Sequence, residues 1–435
     1  MTLPAENISS GDGRHLHARE PMKVLCSTQP GEGHLNPMLP VAGALRMAGH
    51  VVAFASSRSF GPVIEAAGFA HLPAGVDWLE SETEKAFPAV RDLSLAERGD
   101  WYLTDVFADA AAHRMSFDLL DLCRSWKPDL LLRNDYEFGA CVAGERSGTP
   151  YATVGISFLW PESVLEPRIG PQLAYLRSAH GLPPYPALEM LYRHPYLTYV
   201  PPELQPRRHS GMIGLRPDPI RRRREAEGPA WLRRLGDRPV VYASMGTVNN
   251  REPGIFSTIL EALRDEPIDL ILTVGRNQDA RRWGPQPEHV HIESYVPQEA
   301  LLPFCDVFIT NSSFFTVLSA VWHSVPVLMV PLAGDEVSHA ARFAEMGIGP
   351  VLLQEDARFS GIDASTPAFS AHSVRASVRE ILRAPAYRER ARRLSDRLHA
   401  LPGSRDAVDV LASHASSSSW SSLKTAPLGG VRHGA

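Results

Sequence analysis

The sequence has few cysteines: Cys26, Cys123, Cys141 and Cys305, far apart and with no CxxC pair. That excludes a zinc ribbon and a disulfide framework, and it fits a reducing cytoplasm. A basic surplus is missing as well. Lys plus Arg number 44 against 49 for Asp plus Glu, a net charge of −5, so neither nucleic acid nor an anionic membrane is expected as the main partner. No apolar run reaches the roughly 18 residues of a membrane span. The most apolar stretch, VPVLMVPLAG from Val325, is short and interrupted by proline. The first twenty residues include Asp12, His15, His17 and Glu20 and lack the apolar centre of a signal peptide. There is no GxSxG elbow and no HExxH helix, so nucleophilic hydrolysis lacks its nucleophile and no metal is expected.

What is present is an alternation of short apolar runs with helix-like segments. KVLCST (23–28), HVVAFAS (50–56) and DLLLR (129–133) read as buried strands, and MLPVAGALRMAGH (38–50) as a helix. After Val200 comes a stretch rich in proline, glycine and arginine, with the solvated charge block Arg221 to Arg224. The alternation then restarts. PVVYASMG (239–246), DLILTVG (269–275), VHIES (290–294), VFIT (307–310) and PVLMVP (326–331) read as strands; ILEALRDE (259–266) and Thr316 to His323 read as helices. This pattern predicts an α/β chain of two doubly wound, Rossmann-like domains facing each other across a cleft, with ligands at the carboxyl ends of the strands. The expected boundaries are a disordered extension over 1–21, domains over 22–205 and 229–412, a linker over 206–228, and a serine- and glycine-rich disordered tail over 413–435.

PGEGHLNP (30–37) joins the first strand to the first helix. It is a partial GxGxxG turn with Asn36 at the third glycine position. The second strand ends in Ser56, Ser57 and Arg58, where an NADP phosphate could be met, so an oxidoreductase stands as a remote alternative. His34 is the more informative residue. At the carboxyl end of the first strand, an imidazole can take a proton from an alcohol, or simply cap and fill. Asn134, Asp135 and Glu137 end another strand, and a carboxylate there could orient the imidazole. In the second half, a strand ending at Thr310 is followed by Asn311, Ser312 and Ser313 and then a helix, whose N-terminus can receive an anion or be plainly capped.

These segments together resemble a bacterial member of glycosyltransferase family 1, the nucleotide-sugar-dependent enzymes of GT-B fold that decorate macrolides and aromatic polyketides. The resemblance spans Met22 to about Val410 and rests on GHLNPMLPVAGALRMAGH, on PAWLRRLGDRPVVYASMGTV (229–248) and on YVPQ (295–298). It implies an inverting transfer from a UDP- or dTDP-sugar, bound mainly by the second domain, to a hydroxyl of a hydrophobic small molecule bound mainly by the first. No cofactor is implied. On this resemblance His34 is the base, with Asp135 as its partner beside Asn134, where the family's aspartate aligns. Gly246, Thr247 and Thr316 meet the phosphates. Tyr295 stacks on the nucleobase, Val296 meets it through the backbone, and Gln298 reaches base or ribose. Asp335 and Glu336 stand where the family's Asp-Gln pair holds the sugar.

The departures are concentrated at the diphosphate. Asn311-Ser312-Ser313 replaces His-Gly-Gly, Phe315 replaces a glycine, Ser319 replaces a ribose-binding glutamate, and His339 replaces an asparagine. Serine and phenylalanine crowd a backbone that glycine leaves open, so a weakened or rebuilt grip is expected. A non-catalytic homologue acting as a binding or auxiliary protein is therefore the main alternative. The sequence also leaves open an auxiliary protein or a second copy of the chain as a partner. Trp101, Tyr102 and Phe107, within the region Trp78 to Phe117, are expected either to wall the acceptor pocket or to belong to the core.

Overall fold

The computed structural model describes residues 20–217, 229–246, 253–276, 278–332, 334–353 and 368–417. Two parallel sheets follow one another along the chain. The first contains β1 (Lys23–Ser27), β2 (Val51–Ser56), β3 (Ala70–Pro73), β4 (Leu130–Asn134), β5 (Tyr151–Val154), β6 (Tyr196–Thr198) and β7 (Met212–Gly214). Its order is β3-β2-β1-β4-β5-β6-β7. The second contains β8 (Val240–Ser244), β9 (Asp269–Thr273), β10 (Val290–Glu293), β11 (Val307–Thr310) and β12 (Val327–Met329), in the order β10-β9-β8-β11-β12. Strands such as β4 and β9 are buried along their whole length, which is why they read as unbroken apolar runs.

Both orders step outward from their first strand and then reverse to its other side. The reversal falls between β1 and β4 in one sheet and between β8 and β11 in the other. Ser27 pairs with Arg133 there, and Ser244 with Thr310. A crevice outside the carboxyl ends of such strands is where doubly wound sheets take ligands. His34 and Asn134 to Glu137 leave the first reversal, and Gly246 and Asn311 to Ser313 leave the second.

The eight strands expected from apolar runs are all present. β3, β5, β6 and β7 were not expected. Two boundaries need correction. β7 lies inside the stretch expected to be linker and pairs with β6, so the first sheet continues to Gly214. The helix Ser404–Ala415, the last among the described residues, runs past Ser413, where the tail was expected to begin. That helix packs on the helix Leu39–Met47 of the first unit, and His414 Nε2 lies 3.0 Å from the Tyr151 carbonyl oxygen. Its partners are distant in sequence, so local composition could not place its end.

The two units meet through aromatic rings. Phe158 packs edge-on against Phe314 at 5.0 Å and lies 5.1 Å from Phe343, and Tyr199 packs on Phe315 at 5.2 Å. Backbone also meets backbone. A Cβ on Gly99 would lie 2.0 Å from Gly334 Cα, so only glycine fits at 99. This contact carries the segment after Trp78 onto the turn that precedes Asp335.

Candidate functional site

The first crevice is built around His34. The turn Glu32–Leu35 begins after Gly31 and places His34 under the protein surface, 6% exposed. Its Nε2 faces Glu80 Oε1 at 3.6 Å. Its Nδ1 is buried and has no hydrogen-bond partner. Phe107 and Tyr136 stand edge-on to the imidazole at 5.4 and 5.8 Å. Burial opposes the imidazolium, but the nearby charge of Glu80 outweighs it, with smaller help from Asp135 and Asp335. The net result is a His34 pKa above the ordinary histidine value. Glu80 shows the reciprocal effect: burial pushes its carboxyl up, and the pairing with His34 brings it below the usual range.

The expected pairing of His34 with Asp135 is not made. Asp135 Oδ1 accepts from the Ile156 N–H at 3.1 Å and Oδ2 from the Tyr196 hydroxyl at 2.9 Å, which turns the carboxylate into the first unit. Burial raises its pKa against those bonds. Asn134 and Glu137 are committed elsewhere too. Asn134 Nδ2 donates to Thr28 Oγ1 at 2.9 Å. Glu137 accepts from Ser27 Oγ at 2.6 Å and from the N–H groups of Gly139 and Ala140, opening the next helix. Arg133 braces this loop. Only 1% exposed, it donates to the carbonyls of Asn134, Asp135 and Glu137 at 3.1, 3.1 and 2.8 Å.

Trp78, Phe87, Trp101, Tyr102 and Phe107 form a chain of ring contacts leading to His34. Trp78 and Phe107 are buried core members, and Trp101 and Tyr102 pack against the same core half-exposed. Of the two roles expected for these rings, the packing shows the core one. Tyr102–Ala111 is π-helical, a form concentrated at functional sites.

The second crevice is shaped by backbone angles. Gly246 has φ +70°, and a Cβ there would come within 3.2 Å of the Asn311 side chain. Thr247 lies outside the described residues. Ser312 holds φ +72°, the left-handed region, where glycine would be at ease. It is fully buried, and its Oγ has no partner. Asn311 donates through Nδ2 to Glu336 Oε1, and Glu336 Oε2 accepts from the Leu332 N–H at 2.9 Å. The carboxylate of Glu336 therefore ties two turns together, instead of facing the cleft as a sugar contact would require.

The helix Phe314–Trp322 follows Ser313, which caps it without a side-chain bond. Its first N–H groups have no partner within the helix, and Thr316 lies in the first turn. Phe315, expected to crowd this start, is turned to Tyr199 of the first unit. Gln298 Nε2 reaches the Thr316 carbonyl oxygen at 3.5 Å, which fastens the Tyr295–Gln298 loop to the helix. Tyr295 is 39% exposed, and the Arg276 guanidinium lies 3.5 Å from its ring centre. Val296 is buried. Asp335, half-exposed, accepts from the Tyr136 hydroxyl at 3.2 Å across the cleft. His339, where asparagine was the family expectation, bonds Ser157 Oγ at 2.7 Å; burial lowers its pKa.

Sequence reasoning missed Glu80, Tyr136 as a bridge, and Arg276. Glu80 sits in an acidic run with Glu82 and Glu84, and nothing local distinguishes it.

Comparison with known proteins gives the family and the fold. The family model described as Erythromycin biosynthesis protein CIII-like matches in both parts, its N-terminal domain at residues 43–159 and its C-terminal domain at residues 257–413. The chain belongs to that family, and it is a glycosyltransferase of GT-B fold. Among its relatives, 4'-demethylrebeccamycin synthase of Lentzea aerocolonigenes is 27% identical, over 89% of this chain and 98% of that one. The 10-deoxymethynolide desosaminyltransferase of Streptomyces venezuelae is 29% identical, over 75% of this chain and 84% of its own. The calicheamicin glycosyltransferase CalG4 superposes with a TM-score of 0.74 at 20% identity, covering 91% of this chain and 98% of that chain. The glycosyltransferase VinC in complex with dTDP gives 0.69 at 24% identity, over 91% of this chain and 99% of that chain. No described helix is long and apolar enough to cross a membrane.

Proposed function

We propose that the enzyme moves a sugar from a dTDP- or UDP-sugar to a hydroxyl of a hydrophobic natural product, inverting the anomeric centre. The observation that carries this reading is His34: buried at one strand reversal, with a partnerless Nδ1, and linked through Tyr136 to Asp335 at the other. His34 takes the acceptor's hydroxyl proton as the oxygen bonds to the anomeric carbon. The bond from that carbon to the diphosphate oxygen breaks, and the electron pair leaves with the nucleoside diphosphate. Its charge falls to the N–H groups at the start of Phe314–Trp322, to Ser312 and Ser313, and to Thr247. Tyr295 stacks on the base, with Val296 and Gln298 lining the loop, and Asp335 meets sugar hydroxyls.

The relatives' printed names support sugar transfer in antibiotic biosynthesis, and the dTDP complex of VinC favours thymidine donors. The oxidoreductase and the non-catalytic homologue find no support in those names. The test is calorimetric titration of the protein with dTDP and UDP, followed by assay of dTDP release from dTDP-glucose with hydrophobic alcohols. Binding of either nucleotide with release of dTDP supports the reading. Binding of neither sinks it.

A further inference from the structure

The carboxylate that faces His34 belongs to a residue the strand ends do not supply. We infer that Glu80, and not Asp135, is the positioning residue of the base: it holds Nε2–H and leaves the Nδ1 lone pair for the acceptor's proton. This rests on the proposed transfer reaction.

Three observations converge. Glu80 Oε1 is the only carboxylate oxygen among the described residues in ion-pair range of the imidazole, at 3.6 Å from Nε2. The carboxylate is held there by its own backbone, because the Glu80 N–H donates to the Pro30 carbonyl oxygen at 3.0 Å, in the turn that carries His34. The turn in turn makes room for it: a Cβ on Gly31 would stand 1.9 Å from Glu80 Oε2. Gly31 of the PGEGHLNP turn thus has a local task that no phosphate need explain.

Asp135, by contrast, has both oxygens occupied inside the first unit. With Nε2 on Glu80, the nitrogen left for chemistry is Nδ1, which is buried and unpaired. A carboxylate that fixes tautomer and ring orientation while stabilising the imidazolium is the usual complement of a histidine base.

The charged and titratable groups facing His34 are Glu80 from the segment after Trp78, Asp135 and Tyr136 from the loop after β4, and Asp335 from the helix Asp335–Glu345. Glu80 contributes most of the upward pull, against burial. The base works unprotonated, so the acid limb of the rate should lie above the ordinary histidine value, about 6.5. In Glu80→Gln burial prevails, and the limb should move to lower pH by about one unit or more, while the plateau rate falls about tenfold or more.

The experiment compares natural protein, Glu80→Gln, Gly31→Ala and Asp135→Asn. It reads dTDP release from dTDP-glucose against pH, and it reads the His34 titration by NMR of ring-labelled histidine, assigned with His34→Ala. The inference expects Glu80→Gln and Gly31→Ala to lower both the limb and the His34 pKa, and Asp135→Asn to move them far less. Gly31→Ala tests the same contact from the other side should Glu80→Gln fail to fold. An unmoved His34 titration in both variants overturns the inference, as does a larger shift in Asp135→Asn. If the natural protein binds no dTDP and releases none, the transfer reading fails separately, and the pairing is still decided by the titration.

Discussion

The two strand reversals occupy equivalent places in equivalent sheets, yet they are made of different material. At the β1/β4 reversal the chemistry lies in side chains: an imidazole, a carboxylate brought in by a remote segment, and a wall of aromatic rings. At the β8/β11 reversal it lies in backbone. Gly246 and Ser312 hold left-handed conformations, a helix begins just beyond, and the Asn311 and Glu336 side chains serve one another. In the proposed reaction the first site can be lost by changing one atom, because a proton must pass through one nitrogen. The second tolerates substitution, because N–H groups point where the fold aims them.

That contrast ranks the expected effects. His34→Ala should lower turnover by about 10² to 10⁴ and leave dTDP affinity nearly unchanged, as loss of a general base does. Steady-state kinetics beside calorimetry reads it, and an equal loss in both would give His34 a structural role instead. Tyr295→Ala should weaken dTDP binding by roughly 1 to 3 kcal/mol, if base stacking here matches that on other aromatic platforms. The same variant should leave the pH limb in place. Unchanged affinity would put the nucleobase elsewhere.

Ser312→Gly should have the smallest effect and the opposite sign. It relieves a left-handed serine, worth about 1 to 2 kcal/mol, and breaks no hydrogen bond because its Oγ has none. Part of that gain returns as unfolded-chain entropy. A modest rise in denaturant midpoint is expected, with dTDP binding equal or tighter. A lower midpoint would show that the hydroxyl has a native task. Adding Asn311→His and Ser313→Gly should tighten dTDP further only if Glu336, deprived of Asn311, finds another donor.

Much of the fold was legible because buried parallel strands are apolar along their length, and β1, β2, β4 and β8 to β12 all show it. His34 was legible because a strand end followed by a turn fixes its place. Its partner was not. Asp135 stands one place after Asn134, to which the resemblance points, and Tyr196 and the Ile156 N–H claim its oxygens. Glu80 reaches the imidazole through a contact no periodicity encodes. Likewise, Asn311, Ser312 and Ser313 read as a weakened or rebuilt grip, whereas the structure shows Ser312 at a left-handed angle that suits glycine. Side-chain identity alone does not reveal a backbone angle.

The proposed reaction divides the labour: the first unit activates the acceptor and the second grips the donor. A double-mutant cycle on His34→Ala and Tyr295→Ala, read as kcat/KM for dTDP-glucose, tests it most directly. Sites that act separately should give losses that add in free energy to within about 0.5 kcal/mol. A double variant no worse than His34→Ala alone, or far worse than the sum, would contradict the division.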